Sequence, residues 1–445
     1  MKVRTQKIGL FVLITMVMLS IFNVSTTSVQ AAENFDVEAE SAIIVDAKTG
    51  KILFEKQSDL KLPPASMTKM MTEYLVLEAI DEGQISWDET TTIGDYPYSI
   101  SANVTFSGIG LTQNKEYTVR ELYEGMAIIS DNATTIALAE MVAGTEAEFV
   151  KMMNEKAEEM ELPEYQFVNS TGLTNTDLGE NYPEGTDPDA DNLLSARSAA
   201  LLAYHLINDY PEALEYSSSL TSSLDGYPLE NLNWMLPWDG NNFEQFGYEG
   251  IDGLKTGYTK EAGYCFTGTA QQNDRRLITV VMKTSGKEVR FEETKKLMEY
   301  GFDQFNQQEL YPNEYQIEGQ EALPVAKGKE EEVEIKSNAA ISAMIRNGEE
   351  EMYDVSYEIN EEKLNEDGEL VAPIEEGEVI GKMVLYYSGD IDYGYIMQNE
   401  QSQSVDLVSA NAVEKSNWFM LTLGAIGDFF GNVFTTVVDT VKGWF

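Results

Sequence analysis

The sequence predicts an α/β domain whose sheet is assembled from distant parts of the chain, followed by a small all-β domain and a C-terminal amphipathic helix. Strand-like apolar runs stand at both ends of the first 305 residues, at SAIIVD from position 41 and RRLITVVM from position 275, with helical periodicity between them. Beyond LYPNEY the texture changes to short alternating segments (YQIEG, EEVEIK, MYDVSYEI, GKMVLYY) separated by Gly- and Glu-rich turns. The last stretch, 416–445, places Asp428, Asn432, Thr435, Thr436, Asp439 and Lys442 on one helical stripe and Ile426, Phe430, Val433, Val437, Val441 and Trp444 opposite.

Residues 1–31 carry Lys2, Arg4 and Lys7, then IGLFVLITMVMLSIF, then small residues before Glu33. This is the pattern of a cleaved secretory signal peptide, with an uncleaved anchor as the alternative. The first folded domain is expected over 32–305. It opens with a hairpin, SAIIVDAKTGKILFEK, whose turn is rich in Asp, Thr and Gly. A helix starting at Ser66 follows, with apolar residues at 67, 70, 71, 74, 75, 77 and 80. Capping-box signatures, Thr118 with Glu121 and Thr145 with Glu148, mark further helices. GYCFTGTAQQ and RRLITVVMKTS read as strands, and EVRFEETKKLMEYGFDQF as the closing helix. The β-rich domain is expected over 306–392, a polar linker over 393–415, and over 416–445 a helix lying in a membrane interface. A spanning helix, which the charged stripe disfavours, and a helix packed on the protein itself are the alternatives.

The 445 residues carry 76 Asp and Glu against 30 Lys and Arg, a formal charge of −46, which argues against nucleic acid as a partner. Loss of the leader leaves 27 cations against those 76 acids, or −49, a surface suited to a salty or alkaline exterior. A single cysteine, Cys265, excludes an intramolecular disulfide, and with the single histidine, His205, it leaves no Cys/His metal cluster and no expected cofactor. His205 falls in the periodic run ARSAALLAYHLINDY and reads as an ordinary helical residue. A hydrolase built on this chain must therefore activate its nucleophile without histidine.

Ser66 and Lys69 meet that requirement. At i and i+3 they share a helix face, and a lysine whose pKa is lowered by desolvation and nearby positive charge can take the serine proton. The same S-x-x-K spacing recurs at Ser58 to Lys61, in a connection where no helix aligns the pair. Ser130-Asp131-Asn132 sits between two helical runs; S-x-N also occurs at 101 and 409, and texture alone favours an ordinary helix cap at 130–132. KTG occurs twice. Lys48-Thr49-Gly50 lies in the hairpin turn, whereas Lys255-Thr256-Gly257 lies on an extended segment where glycine permits close approach of a ligand.

In the order Ser66-x-x-Lys69, Ser130-Asp131-Asn132, Lys255-Thr256-Gly257, the three motifs form a known set. With FVNSTGL, IDGLKTGYTKEAGYCFTGTA, RFEETKKLMEYGF and APIEEGEVIGKM, the chain resembles the serine-type D-alanyl-D-alanine carboxypeptidases, the low-molecular-mass penicillin-binding proteins related to class A β-lactamases. The resemblance implies a β-lactamase/transpeptidase-like fold and acyl transfer on peptidoglycan stem peptides, with β-lactams as inhibitors, at the outer face of the bacterial cytoplasmic membrane. It implies Ser66 as nucleophile, Lys69 as base and Ser130 as proton relay. Asn132, Lys255, Thr256, Gly257 and Arg290 would bind substrate, and the backbone N–H of Tyr258 would join that of Ser66 in an oxyanion hole. On its own, Arg290 reads equally as a surface helix arginine. Asp131 departs from the Gly or Ala common in the family, and Tyr258 stands where some relatives have His. A class A-like β-lactamase is the nearest rival, but the closest E-x-x-L-N match, ENLN at 230–233, has the wrong spacing. A non-catalytic cell-wall scaffold keeping the fold is the rival from another class.

Overall fold

The structure, a computed structural model, describes residues 35–397 and 403–416. The leader at 1–31 lies outside the described residues, as does the 416–445 helix apart from Ser416. The expected hairpin forms as β1 (Ser41–Asp46) and β2 (Ile52–Lys56). Its Asp46 side chain accepts hydrogen bonds from the Thr49 N–H (2.9 Å) and hydroxyl (2.7 Å). Lys48 is exposed, so the first KTG is turn structure. The second KTG lies on β3 (Ile251–Thr259), followed by β4 (Gly263–Gln272) and β5 (Arg275–Thr284). These make one antiparallel sheet in the order β2-β1-β5-β4-β3, so the amino-terminal hairpin pairs with the last strand and β3 is left at an edge.

Between hairpin and β3 stand α1 (Lys69–Asp81), α2 (Val119–Ile129), α3 (Asn132–Ala143), α4 (Glu146–Glu159) and α5 (Ala196–Asp209). The Thr118/Glu121 capping box is complete at the start of α2, and Thr145 caps α4 by accepting from the Glu148 N–H. The helix α6 (Val289–Gln304) packs Phe291, Leu297 and Met298 out of solvent. Ser66 differs from expectation in one respect: it sits in a single 3-10 turn, Ala65–Thr68, and the α-helix proper begins at Lys69. Nearly every side chain of α1 from Lys69 to Leu77 is buried, so α1 is a central helix rather than an amphipathic one.

The second domain contains β6 (Phe305–Tyr311), β7 (Ala322–Ala326), β8 (Glu332–Ser337), β9 (Ile341–Arg346), β10 (Tyr353–Ile359), β11 (Leu370–Val371), β12 (Val379–Tyr387) and β13 (Ser404–Ser409). Six of these form a sheet in the order β10-β12-β13-β8-β7-β11, and β6 pairs with β9. The expected linker at 393–415 is therefore corrected: β13 lies within it, in the interior of the sheet between β12 and β8, with Leu407 and Val408 buried. Before β13 the chain also returns to the first domain. The Ile52 N–H donates to the Gly394 carbonyl (3.0 Å) and the Ile396 N–H to the Gly50 carbonyl (2.8 Å), while Ile396 is buried in the first domain's core. This strap pairs with the chain at the start of the β2 edge, over Gly50 to Ile52.

Candidate active site

Three elements converge on Ser66. The 3-10 turn and α1 supply Ser66 and Lys69, the α2–α3 junction supplies Ser130 and Asn132, and β3 supplies Lys255 to Tyr258. Lys69 is fully buried, and its Nζ donates to Ser66 Oγ (3.1 Å), Asn132 Oδ1 (2.8 Å) and the Thr171 carbonyl (2.7 Å). Burial pushes the Lys69 ammonium well below the ordinary lysine range and Lys255 adds to the shift, against the carboxylates of Asp131, Glu73 and Glu146. A lysine so placed can shed its proton and accept one from the hydroxyl beside it.

Ser130 ends α2 in the left-handed region (φ +61°), which turns the chain so that Asp131 can cap α3. The cap reading thus holds for Asp131, while Asn132 turns its side-chain oxygen to Lys69. Ser130 Oγ is buried with no hydrogen-bond partner among the described residues, leaving its hydroxyl uncommitted.

On β3, Lys255 and Thr256 are buried and Tyr258 is exposed, its ring stacked on Tyr264 at 4.4 Å. Burial lowers the Lys255 pKa to about 8; Glu73 opposes that shift and Arg290 adds to it. Gly257 lies so close to the 3-10 turn that a Cβ there would meet the Pro64 carbonyl oxygen at 2.4 Å. Arg290 is buried behind the strand, its Nη1 donating to the carbonyls of Gly257 (3.1 Å) and Cys265 (3.4 Å). Burial lowers its pKa to about 10. It is a core cation, not a surface arginine.

The competing motif copies are structural. Ser58 Oγ donates to Glu55 (2.7 Å), Lys61 pairs with Glu164 (3.0 Å), and Ser409 lies in β13. Ser101 Oγ donates to the Tyr98 carbonyl (2.9 Å). In ENLN, Glu230 is exposed and Asn231 Nδ2 ties down the Ser217 and Ser219 carbonyls. His205 stands 3.5 Å from Asp209 and lines a separate cavity of about 540 Å³ with Arg197 and Ile396. No His/Cys/Asp/Glu cluster that could hold a metal occurs among the described residues.

Two contributors escaped sequence reasoning. Asn169 Oδ1 accepts from the N–H groups of Thr171 (3.1 Å) and Gly172 (2.8 Å), which shapes the loop that aims the Thr171 carbonyl at Lys69. Glu73, one turn beyond Lys69, is a buried carboxyl whose pKa burial raises to about 7 against the pull of Lys255 and Lys69. The STG of 170–172 carried a turn signal; Glu73 carried none.

Residues 26–286 match the family described as D-alanyl-D-alanine carboxypeptidase, and residues 305–415 match the C-terminal domain of penicillin-binding protein 5. The chain is 34% identical over 357 residues to D-alanyl-D-alanine carboxypeptidase DacF of Bacillus subtilis, covering 80% of this chain and 83% of that one. It is similar to the crystal structure of a peptidoglycan synthesis regulatory factor, PBP3, from Streptococcus pneumoniae, at 34% identity and TM-score 0.67, over 85% of this chain and 100% of that one. It is similar also to penicillin-binding protein D2 from Listeria monocytogenes in its ampicillin-bound form, at 34% identity and TM-score 0.51, over 61% of this chain and 99% of that one.

Proposed function

The chain belongs to the D-alanyl-D-alanine carboxypeptidase family, and from that premise we propose that it removes the terminal D-alanine of peptidoglycan stem pentapeptides through an acyl-enzyme on Ser66. The single observation that carries this reading is the Lys69 nitrogen, fully buried and 3.1 Å from Ser66 Oγ. Neutral Lys69 takes the hydroxyl proton as Ser66 Oγ bonds to the penultimate D-alanyl carbonyl carbon. The backbone N–H groups of Ser66 and Tyr258 receive the oxyanion. The peptide C–N bond breaks as the proton held by Lys69 passes through the Ser130 hydroxyl, uncommitted in its hydrogen bonding, to the leaving amine, which leaves Lys69 neutral again. Water, activated by Lys69, then hydrolyses the ester and restores Ser66.

Lys255 and Thr256 meet the substrate's terminal carboxylate, and Arg290 adds positive charge from behind the strand. Asn132 meets the substrate's amide backbone, its Oδ1 already held by Lys69. β-Lactams acylate the same serine and stall there. The leader pattern and the amphipathic tail support export and attachment at the outer face of the cytoplasmic membrane.

Labelled penicillin tests the assignment. Wild-type protein is expected to become labelled and Ser66→Ala to remain blank; equal labelling of both would sink it. Free D-alanine released from a pentapeptide identifies a carboxypeptidase, rapid penicillin turnover a β-lactamase, and a cross-linked product a transpeptidase.

A further inference from the structure

The middle residue of the second motif has a task of its own. Asp131 is fully buried and each of its carboxylate oxygens is committed. Oδ1 accepts from the Thr134 N–H (2.9 Å) and caps α3; Oδ2 accepts from the Ile109 N–H (2.8 Å), reaching into the loop that precedes α2. Much of that loop is exposed, with Val104 at its tip 96% accessible, while Phe106 and Ile109 rest against the first domain's core. Beside the tie, the Ser107 carbonyl accepts both the Asn132 N–H (3.1 Å) and the Asn132 side-chain Nδ2 (3.1 Å). The other end of that amide, Oδ1, is the acceptor for Lys69 Nζ at 2.8 Å. Gly108 completes the fit: its φ is +143°, and a Cβ there would lie 2.5 Å from Asp131 Oδ2.

We propose that Asp131 is a positioning residue that clamps the 105–110 loop onto the catalytic junction, so that the Ser107 carbonyl fixes the Asn132 amide in the orientation that presents Oδ1 to Lys69. An amide can flip end for end, and only its partners decide which end faces the lysine. With Ser107 held as the acceptor at Nδ2, the flipped state would place a carbonyl against a carbonyl. Without the clamp, the loop is held by Phe106, Ile109 and the Ser107 carbonyl alone, and as that carbonyl shifts, the Asn132 amide is positioned less tightly against Lys69. A Gly or Ala at this position offers no such tie, so this chain orders the loop through a side chain.

The inference rests on the acyl-enzyme reading above, and two variants approach the contact from opposite sides. Asp131→Ser keeps a cap for α3 but has one oxygen where two are needed. Gly108→Ala leaves Asp131 intact and forces the loop off it. Each is measured for amide hydrogen exchange over 105–111, thermal midpoint, and acylation by labelled penicillin as a function of concentration. Each single variant is expected to exchange faster in that segment. Each should also lower the limiting acylation rate about 10- to 100-fold, more than it weakens the preceding binding step. The double variant should acylate about as slowly as the slower single one, because both break the same contact. Wild-type rates in Asp131→Ser, or effects that multiply in the double variant, would overturn the clamp. A wild-type protein that penicillin does not acylate would instead overturn the acyl-enzyme reading, so the two failures are distinct. If Asp131→Ser loses its fold, Gly108→Ala alone decides: faster exchange with unchanged acylation refutes the proposal.

Discussion

Lys69, Lys255 and Arg290 put three basic side chains out of water in and behind the site, and a buried carboxyl among them offsets part of the cost. Glu73 fills that place. It opposes the downward shift of both lysines, and its own pKa is raised to about 7 by burial. In the proposed mechanism, acylation needs Lys69 neutral, whereas carboxylate binding needs Lys255 charged. Lys255 is cationic below about 8, so binding weakens as pH rises through that value. Glu73→Gln removes an anion that raises both lysine pKa values, so both limbs of the pH profile of kcat/KM for D-alanine release should move to lower pH, each by about half a unit or more. A profile that superposes on wild type would show that Glu73 does not set these charges. Glu73 was illegible in the sequence because α1 is buried all round: no polar face marks which side of the helix meets the site. The proximity of Ser66, Lys69 and Asn132 was legible because their spacing and order repeat a known set.

Between elements, β3 approaches the 3-10 turn closely enough that Gly257 has no room for a side chain. Gly257→Ala would set a methyl 2.4 Å from the Pro64 carbonyl oxygen, with Met67 Cγ at 3.3 Å and Ala65 Cβ at 3.4 Å. A backbone oxygen cannot swing aside as a side-chain tip can, so the turn carrying Ser66 must move away from β3. The expected result is a loss of about 100-fold in penicillin acylation with a stability cost of about 1 to 3 kcal/mol, read from labelling kinetics and denaturant unfolding. Acylation at the wild-type rate would show that the spacing of these two elements is not critical. The sequence marked Gly257 as a point of close approach without naming the partner, because strand and turn lie far apart in the chain. It misread β13 for a related reason. SVDLVS is short and flanked by Gln, Asn and Glu, so its texture averages to linker; Leu407 and Val408 become core residues only when β12 and β8 close on either side.

Across the whole molecule, acids far outnumber cations. The cations that matter to the site are buried, while the exterior carries runs of acid such as Glu330, Glu331 and Glu332, all exposed. The strap from Asp392 to Ile396, invisible in a stretch that begins as polar loop, ties the second domain to the hairpin edge and adds a Lys51–Asp392 ion pair at 2.5 Å. Isolated pairs of this kind contribute little, and with 76 acids to 30 cations most carboxylates have no cation to meet. The folded state therefore concentrates like charge that the unfolded chain spreads out, and dissolved cations relieve the repulsion over a distance that shrinks from about 30 Å at 10 mM salt to about 3 Å at 1 M. The thermal midpoint should accordingly rise by about 5 °C or more from low to molar salt, equally in NaCl and KCl, since screening depends on ionic strength. The substrate ends in a carboxylate and must cross the same acidic field, so kcat/KM for D-alanine release should rise over the same range. A midpoint that stays flat or falls would mean that the acidic exterior places no electrostatic load on this fold. A rise in the midpoint without a rise in kcat/KM would mean that the buried cations already offset the field along the path to Ser66.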